Sequence, residues 1–154
     1  IYNIITQYIY MRKKIGAGIF AIDKKSGKIL LCQRGLDSSF SKMWAVFGGT
    51  FEDKDGTPKQ TAKREFWEET NVLVDYKISK EPLFLNSNNF IDFYTYTGIF
   101  DGQPEIRINE ESMSYGWFHI DQLPNNLLPG FKEMLKHKMP IIKDLIKQLS
   151  ESNY

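Results

Sequence analysis

Glu65, Glu68 and Glu69 are the residues whose type and spacing point most directly to chemistry. In a helix they occupy positions i, i+3 and i+4, so their carboxylates share one side. Like charges at this spacing repel one another, and the repulsion grows when the groups are partly buried. The cluster therefore calls for a cation, and an all-oxygen ligand set suits Mg²⁺ or Mn²⁺ better than zinc.

The segment that carries these glutamates has the features of a well-defined helix. Thr57 offers a hydroxyl N-cap, Pro58 suits the first helical position, and Gln60 stands three residues after the cap. We predict a helix from about Pro58 to Thr70. A solvated acidic helix face is the alternative interpretation of the glutamates, because such faces explain most Glu-Glu pairs in arbitrary sequences.

The segment resembles the signature of the Nudix hydrolases. That signature has a glycine, five residues, a glutamate, seven residues and then Arg-Glu-apolar-x-Glu-Glu-x-Gly-apolar. Its second half is present at residues 64–72 as Arg-Glu-Phe-Trp-Glu-Glu-Thr-Asn-Val. Asn71 stands where the family has glycine, and Asn tolerates the left-handed conformation found at helix ends. We interpret this change as harmless.

The first half of the signature departs from the family. Counting forward from Gly49, the family glutamate falls on Asp55, whereas counting back from Arg64 it falls on Gly56. The loop therefore contains one inserted residue. Asp55 is the best candidate for the missing carboxylate, and Glu52 is the alternative.

The resemblance implies a role for each matching residue. Glu68 and Glu69 would hold Mg²⁺ or Mn²⁺, and the Gly48 carbonyl would be another metal contact. Glu65 would either bind metal or deprotonate the attacking water. Arg64 would orient a carboxylate of the motif through a charge-assisted pair; its alternative role is a surface pair with Glu68 at i, i+4.

Candidates outside the motif helix are fewer. In many relatives a further metal ligand or base lies before a late strand, where this chain has Glu110 and Glu111; we place Glu111 in the metal site, with Glu110 as the alternative. The candidate substrate-binding residues are Arg34, Phe51, Glu52 and Asp55.

The remaining elements predict an α/β (α+β) fold. The resemblance implies a Nudix-like α/β/α sandwich with a mixed β-sheet and a loop-helix-loop catalytic motif. Hydrophobic periodicity predicts a C-terminal helix over residues 131–149, broken by Pro140. The predicted strands cover residues 15–22, 28–34, 44–47, 72–78, 82–85, 90–100 and 115–120. We expect a tail or extension at residues 1–13 and a single domain at residues 14–150.

Composition limits the function classes. The chain has 154 residues with 42% hydrophobic content, enough for one domain with a core. A net charge of +1 without a basic patch argues against nucleic-acid binding but is compatible with a free nucleotide. The single Cys32, in an apolar run, fits a reducing compartment and a packed side chain. We expect a cytoplasmic monomer or homodimer without membrane contact and without an export signal.

We therefore expect a metal-dependent pyrophosphohydrolase that acts on a nucleoside diphosphate linked to another group. The absence of marks for other branches of the family favours nucleoside triphosphates, including damaged ones, over ADP-ribose or nucleotide sugars. A catalytically weak nucleotide-binding module is the main competitor. An isomerase of isoprenoid diphosphates is a third alternative, and it requires a catalytic cysteine.

Overall fold

The computed structural model describes residue 4 and residues 13–152, so the expected tail at residues 1–13 lies almost entirely outside the described residues. The helices are α1 (Pro58–Thr70) and α2 (Pro129–Glu151), and a 3-10 turn covers Asp53–Asp55. The strands are β1 (Lys14–Asp23), β2 (Ile29–Arg34), β3 (Trp44–Ala45), β4 (Phe47–Thr50), β5 (Lys77–Ile78), β6 (Phe84–Ser87), β7 (Ile91–Phe100) and β8 (Ser112–Phe118).

The strands form one mixed sheet around β1. β1 and β7 run parallel along their whole length, from the pair Lys14 and Ile91 to the pair Asp23 and Phe100. All other pairings are antiparallel: β2 and β4 pair with β1, β3 and β8 pair with β2, and β5 and β6 pair with β7. The mixed sheet was predicted from the sequence and is confirmed.

Both faces of the sheet are covered. In β1, Ala17 and Ile19 belong to the core cluster that also contains Phe66 of α1. Phe20 and Ile22 point the other way and pack with α2. A strand buried on both faces explains why β1 is a continuous apolar run and not an alternating one. The α/β/α sandwich expected from the sequence is therefore confirmed.

Helix α1 begins and ends at the predicted residues. The Thr57 side chain accepts a hydrogen bond from the Gln60 backbone N–H at 3.2 Å. Asn71 follows the helix with φ 54° and ψ 27°, the left-handed conformation expected for the residue that replaces glycine. Local capping chemistry thus fixes both ends of the helix that carries the glutamates.

Several expectations for other elements were wrong. Residues 72–76 are not a strand, and only Lys77–Ile78 pair with β7. Leu73 and Val74 are exposed, and residues 72–76 pair with no strand in the described part of the chain. Helix α2 continues through Pro140, which lies on its exposed face, where water can satisfy the carbonyl that loses its helical partner. β6 and β8 also lie two to three residues away from their predicted starts.

Neither helix in the described part of the chain combines the length and the apolar character that a membrane span requires.

Candidate functional site

The glycine pair of β4 allows α1 to approach the sheet closely. A Cβ atom at Gly48 would lie 2.5 Å from the Ala17 carbonyl oxygen of β1. At Gly49 a Cβ would overlap the carboxylate of Glu65. Both positions therefore require glycine for space, since neither has a left-handed backbone. The result is a carboxylate of α1 pressed against the backbone of β4.

Three carboxylates from two elements meet at this point. Glu65 and Glu69 of α1 and Glu111, in the loop before β8, each bring an oxygen within 4.8 Å of the other two. The sequence had left the choice between Glu110 and Glu111 open, and the structure brings Glu111 into the cluster. Glu68 was predicted as a metal ligand but lies outside this cluster, with its side chain 43% exposed and its Oε2 3.1 Å from Nη1 of Arg64.

Glu69 is the most unusual member of the cluster. Glu69 is 8% exposed. Its Oε2 is buried and has no hydrogen-bond partner among the described residues. Burial, reinforced by the neighbouring Glu111 and Glu65 carboxylates, raises the pKa of Glu69 to about 9, against a smaller opposing effect of the Gly48 backbone. Burial also raises the pKa of Glu65, although its pair with Arg64 lowers it. Of the three clustered carboxylates, Glu65 is the one that contacts the Arg64 guanidinium.

Arg64 organises the carboxylates on the other side of Glu65. Its guanidinium has five N–H donors, and each has an acceptor. Asp55 takes two of them, at 2.7 Å from Nε and 3.0 Å from Nη2. The Thr50 carbonyl accepts at 2.9 Å, Glu65 at 2.9 Å and Glu68 at 3.1 Å. The two roles considered for Arg64, orienting a motif carboxylate and pairing with Glu68, therefore occur together.

The loop with the inserted residue places Asp55 against Arg64. The Asp55 side chain is 3% exposed and also accepts hydrogen bonds from the Thr61 hydroxyl at 2.9 Å and the Glu52 backbone N–H at 3.0 Å. Arg64 holds the pKa of Asp55 well below its usual range. Glu52, the alternative, is 52% exposed and lies 3.8 Å from Arg64. Asp55 thus anchors the arginine and is turned away from solvent.

The remaining candidates lie around this centre. Arg34 donates from Nε to the Ser39 carbonyl at 2.7 Å, so it holds the loop after β2. Gly35 donates from its N–H to the Glu111 carbonyl at 2.9 Å, which ties that loop to the cluster. Phe51 is partly buried, and its backbone N–H bonds the Ile15 carbonyl. For Arg34 and Phe51, a contact with substrate stays a prediction, as does the metal contact of the Gly48 carbonyl.

Sequence reasoning missed the connections between the end of α1 and the loop before β8. Asn109 donates from Nδ2 to the Glu68 carbonyl at 3.3 Å, and the Arg107 N–H donates to the Thr70 carbonyl at 2.9 Å. These bonds use carbonyls that the helix end leaves without helical partners. The replacement of the family glycine by Asn71 was the one signal in the sequence near this contact.

Comparison with known proteins agrees with the fold. A family model described as NUDIX domain matches residues 12–138. The fold resembles a crystal structure of the Nudix hydrolase RenU from M. smegmatis, with a TM-score of 0.68, 19% identity and 88% of each chain covered. It also resembles a bifunctional NMN adenylyltransferase/ADP ribose pyrophosphatase from Francisella tularensis, crystallised with AMP and a Mn ion. There the TM-score is 0.63 and the identity 19%, over 92% of this chain and 46% of that one.

A curated relative is similar in sequence. The chain is 34% identical over 91 residues to the dihydroneopterin triphosphate diphosphatase of Haemophilus influenzae. The match covers 58% of this chain and 53% of that protein, so it spans about half the length of the relative. With a family model that matches most of its length, this chain belongs to the Nudix hydrolase family.

The raised pKa of Glu69 predicts how the stability of the metal-free protein depends on pH. A carboxyl whose folded pKa, about 9, exceeds its unfolded value binds more protons in the folded state. Its contribution to stability is complete at acidic pH and is lost as pH rises through the folded pKa. The melting temperature should therefore fall between about pH 5 and pH 9, and Glu69→Gln should flatten this fall. An equally steep fall in the variant would show that Glu69 does not titrate as described.

The anchoring of Arg64 predicts an unequal effect of two neighbouring substitutions. Asp55→Asn removes the charge that holds two donors of Arg64, so Glu65 and Glu68 lose their fixed orientation, and kcat should fall about tenfold. Asp53→Asn, two residues earlier in the same 3-10 turn, is the matched control and should leave kcat within about twofold of wild type. Steady-state kinetics at saturating Mg²⁺ separates the two. Equal small losses would mean that the loop carboxylates do not position the site.

Proposed function

We propose that the protein is a metal-dependent pyrophosphohydrolase that cleaves a nucleoside triphosphate, including damaged forms, by water attack on phosphorus. The observation that carries this proposal is the buried carboxylate of Glu69, which lies beside Glu65 and Glu111. Its Oε2 has no hydrogen-bond partner among the residues that the structure describes. A buried carboxylate among like charges is stable in ionised form only with a compensating cation. The proposed partner is a small-molecule nucleotide.

The residues present fit a divalent cation of the Mg²⁺ or Mn²⁺ type. Their donor atoms are carboxylate oxygens, which these hard ions prefer. Glu65, Glu69 and Glu111 would hold the cation, with the Gly48 carbonyl as the further contact that the family resemblance implies. When bound, the cation would neutralise negative charge on the phosphate oxygens and lower the pKa of the attacking water.

The side chains of the chain itself orient the reactants and receive the proton. The oxygen of water forms a bond to phosphorus, the bridging P–O bond breaks, and its electron pair goes to the leaving phosphate. For a nucleoside triphosphate the products are a nucleoside monophosphate and pyrophosphate. Accepting the proton from water is the alternative role of Glu65 to holding the cation. It is supported by the burial that raises the pKa of Glu65 and by the contact with Arg64 that fixes its orientation.

Triphosphates are the substrate class that the comparisons favour. The name of the Haemophilus influenzae relative specifies a triphosphate, and that relative is 34% identical to this chain over the matched part. The Francisella tularensis protein is described as an ADP ribose pyrophosphatase at 19% identity. ADP-ribose is therefore the second candidate substrate, and nucleotide sugars should be assayed alongside it.

Two competing functions lose support from the site geometry. An inserted residue in the loop before α1 would favour a catalytically weak binding module if it displaced the loop carboxylate, but Asp55 still reaches Arg64 across that loop. An isoprenoid diphosphate isomerase needs a reactive cysteine, whereas Cys32 is buried. Burial, with a contribution from Glu69, raises the pKa of the Cys32 thiol to about 12, so it stays protonated at neutral pH.

The proposal predicts metal-dependent turnover in a substrate panel. Purified protein with Mg²⁺ or Mn²⁺ should convert a nucleoside triphosphate or dihydroneopterin triphosphate to the monophosphate and pyrophosphate, faster than it cleaves ADP-ribose or nucleotide sugars. Glu69→Gln should lower kcat by about 10²- to 10³-fold, because it removes one charged group from the transition-state environment. Product analysis by chromatography and steady-state kinetics provide the measurement.

A matched control shows whether the loss of kcat in Glu69→Gln depends on where the glutamate lies. Glu133→Gln makes the same chemical change on the exposed face of α2, where Glu133 pairs with His137, and it should leave kcat unchanged. Near-wild-type turnover in Glu69→Gln at saturating Mg²⁺ would show that the cluster is not the metal site. Ligand-induced thermal stabilisation without turnover of any substrate would favour the binding module instead.

A further inference from the structure

Asn71 does more than end helix α1. Its side-chain Nδ2 donates to the Arg107 carbonyl at 2.8 Å, across 36 positions of sequence. The N–H of the same Arg107 donates to the Thr70 carbonyl at 2.9 Å. The main chain at Arg107 is therefore held on both its donor and its acceptor side by two consecutive residues at the end of α1.

From Arg107 the connection continues to Glu111 in short steps. Asn109 donates from Nδ2 to the Glu68 carbonyl at 3.3 Å, and its Oδ1 accepts from the Glu111 N–H at 3.0 Å. Gly35 holds the Glu111 carbonyl from the other side. Ile106 is buried in the core and Ile108 is partly buried against the same cluster, so packing holds the loop on both sides of Arg107. The hydrogen bonds of Asn71 and Asn109 add the contacts that set the loop against the end of α1.

We propose that Asn71 is a positioning residue that sets the place of the Glu111 carboxylate relative to Glu65 and Glu69. Glu65 and Glu69 are fixed by the helix that carries them. Glu111 is exposed and sits in a loop, so its approach to the other two depends on how that loop is held to the helix. The amide of Asn71 and the amide of Asn109 together form an amide clamp between the end of α1 and the loop.

Asn71 ends helix α1 and also donates a hydrogen bond to the Arg107 carbonyl. Substitution by glycine separates these two roles. Glycine adopts the left-handed conformation at least as readily as asparagine, so the end of the helix is preserved. It has no side-chain donor, so the bond to the Arg107 carbonyl is lost. Asn71→Asp keeps the shape of the side chain but places an acceptor against that carbonyl, and it should be the more harmful change.

The test measures cation binding and loop protection, and neither measurement needs turnover. The proposal rests on the metal site of the proposed function, so Mn²⁺ alone is the probe, titrated into metal-free protein and followed by electron paramagnetic resonance. Asn71→Gly should raise the apparent Kd for Mn²⁺ about 3- to 10-fold, at the lower end of effects seen for residues that support metal ligands. Its melting temperature should stay within about 2 °C of wild type, as expected for a near-neutral change in stability.

A double-mutant cycle shows whether the effect passes through Glu111. In a Glu111→Gln background, Asn71→Gly should change the Kd for Mn²⁺ by less than about twofold, because the group it positions is already gone. Hydrogen exchange at the Arg107 and Glu111 amides should be faster in Asn71→Gly than in wild type. The amides of Lys14 and Phe51, bonded in other parts of the molecule, provide the internal reference.

The failures of the two proposals are distinguishable. An unchanged Kd for Mn²⁺ in Asn71→Gly, or an equal loss in the Glu111→Gln background, would overturn the positioning role. Unchanged exchange at Arg107 and Glu111 would overturn the clamp itself. Absence of Mn²⁺ binding by the wild-type protein would overturn the metal site, and the role of Asn71 with it. Absence of hydrolysis with normal Mn²⁺ binding would overturn the proposed activity alone.

Discussion

A buried carboxylate that has no complete set of partners is the constraint on which the site depends. Glu69 lies where α1 meets β4, with two further carboxylates beside it, and one of its oxygens has no hydrogen bond within the described part of the chain. Burial of this kind costs free energy unless a proton or a cation compensates. The glycines of β4 and the caps of α1 allow and maintain this arrangement, so the fold holds a carboxylate that needs either a proton or, as we propose, a cation.

Arg64 contacts acceptors on two sides of its guanidinium. Its donors are all used, with Asp55 and Thr50 on one side and Glu65 and Glu68 on the other. The use of all five donors within the protein supports the interpretation that Arg64 orients carboxylates. Asp55 makes this possible in spite of the lengthened loop, because the 3-10 turn directs its side chain inward. Charge in this site is therefore arranged by the protein before any ligand arrives.

Helix α1 could be predicted from the sequence, whereas the positions of Glu111 and residues 72–76 depend on contacts with distant parts of the chain. The capping residues and the spacing of the glutamates lie within one segment, so sequence alone defined the helix and the face that carries Glu65 and Glu69. Glu68 contacts Arg64 and lies outside the cluster of three carboxylates, so its metal contact stays a prediction. Glu111 is the loop glutamate that reaches the cluster, and its N–H donates to Oδ1 of Asn109, a contact that spacing in the sequence does not show. The apolar residues 72–76 looked like a strand because periodicity does not show whether a partner strand is available.

The most direct test of the central claim is to locate the cation itself. Crystals grown with Mn²⁺ and measured at a wavelength that gives manganese anomalous scattering should show a peak between the carboxylates of Glu65, Glu69 and Glu111. In crystals of Glu69→Gln grown under the same conditions, the peak should be lost or strongly reduced. A manganese peak elsewhere on the molecule, with these three carboxylates left empty, would contradict the claim that the buried glutamate exists to hold a cation.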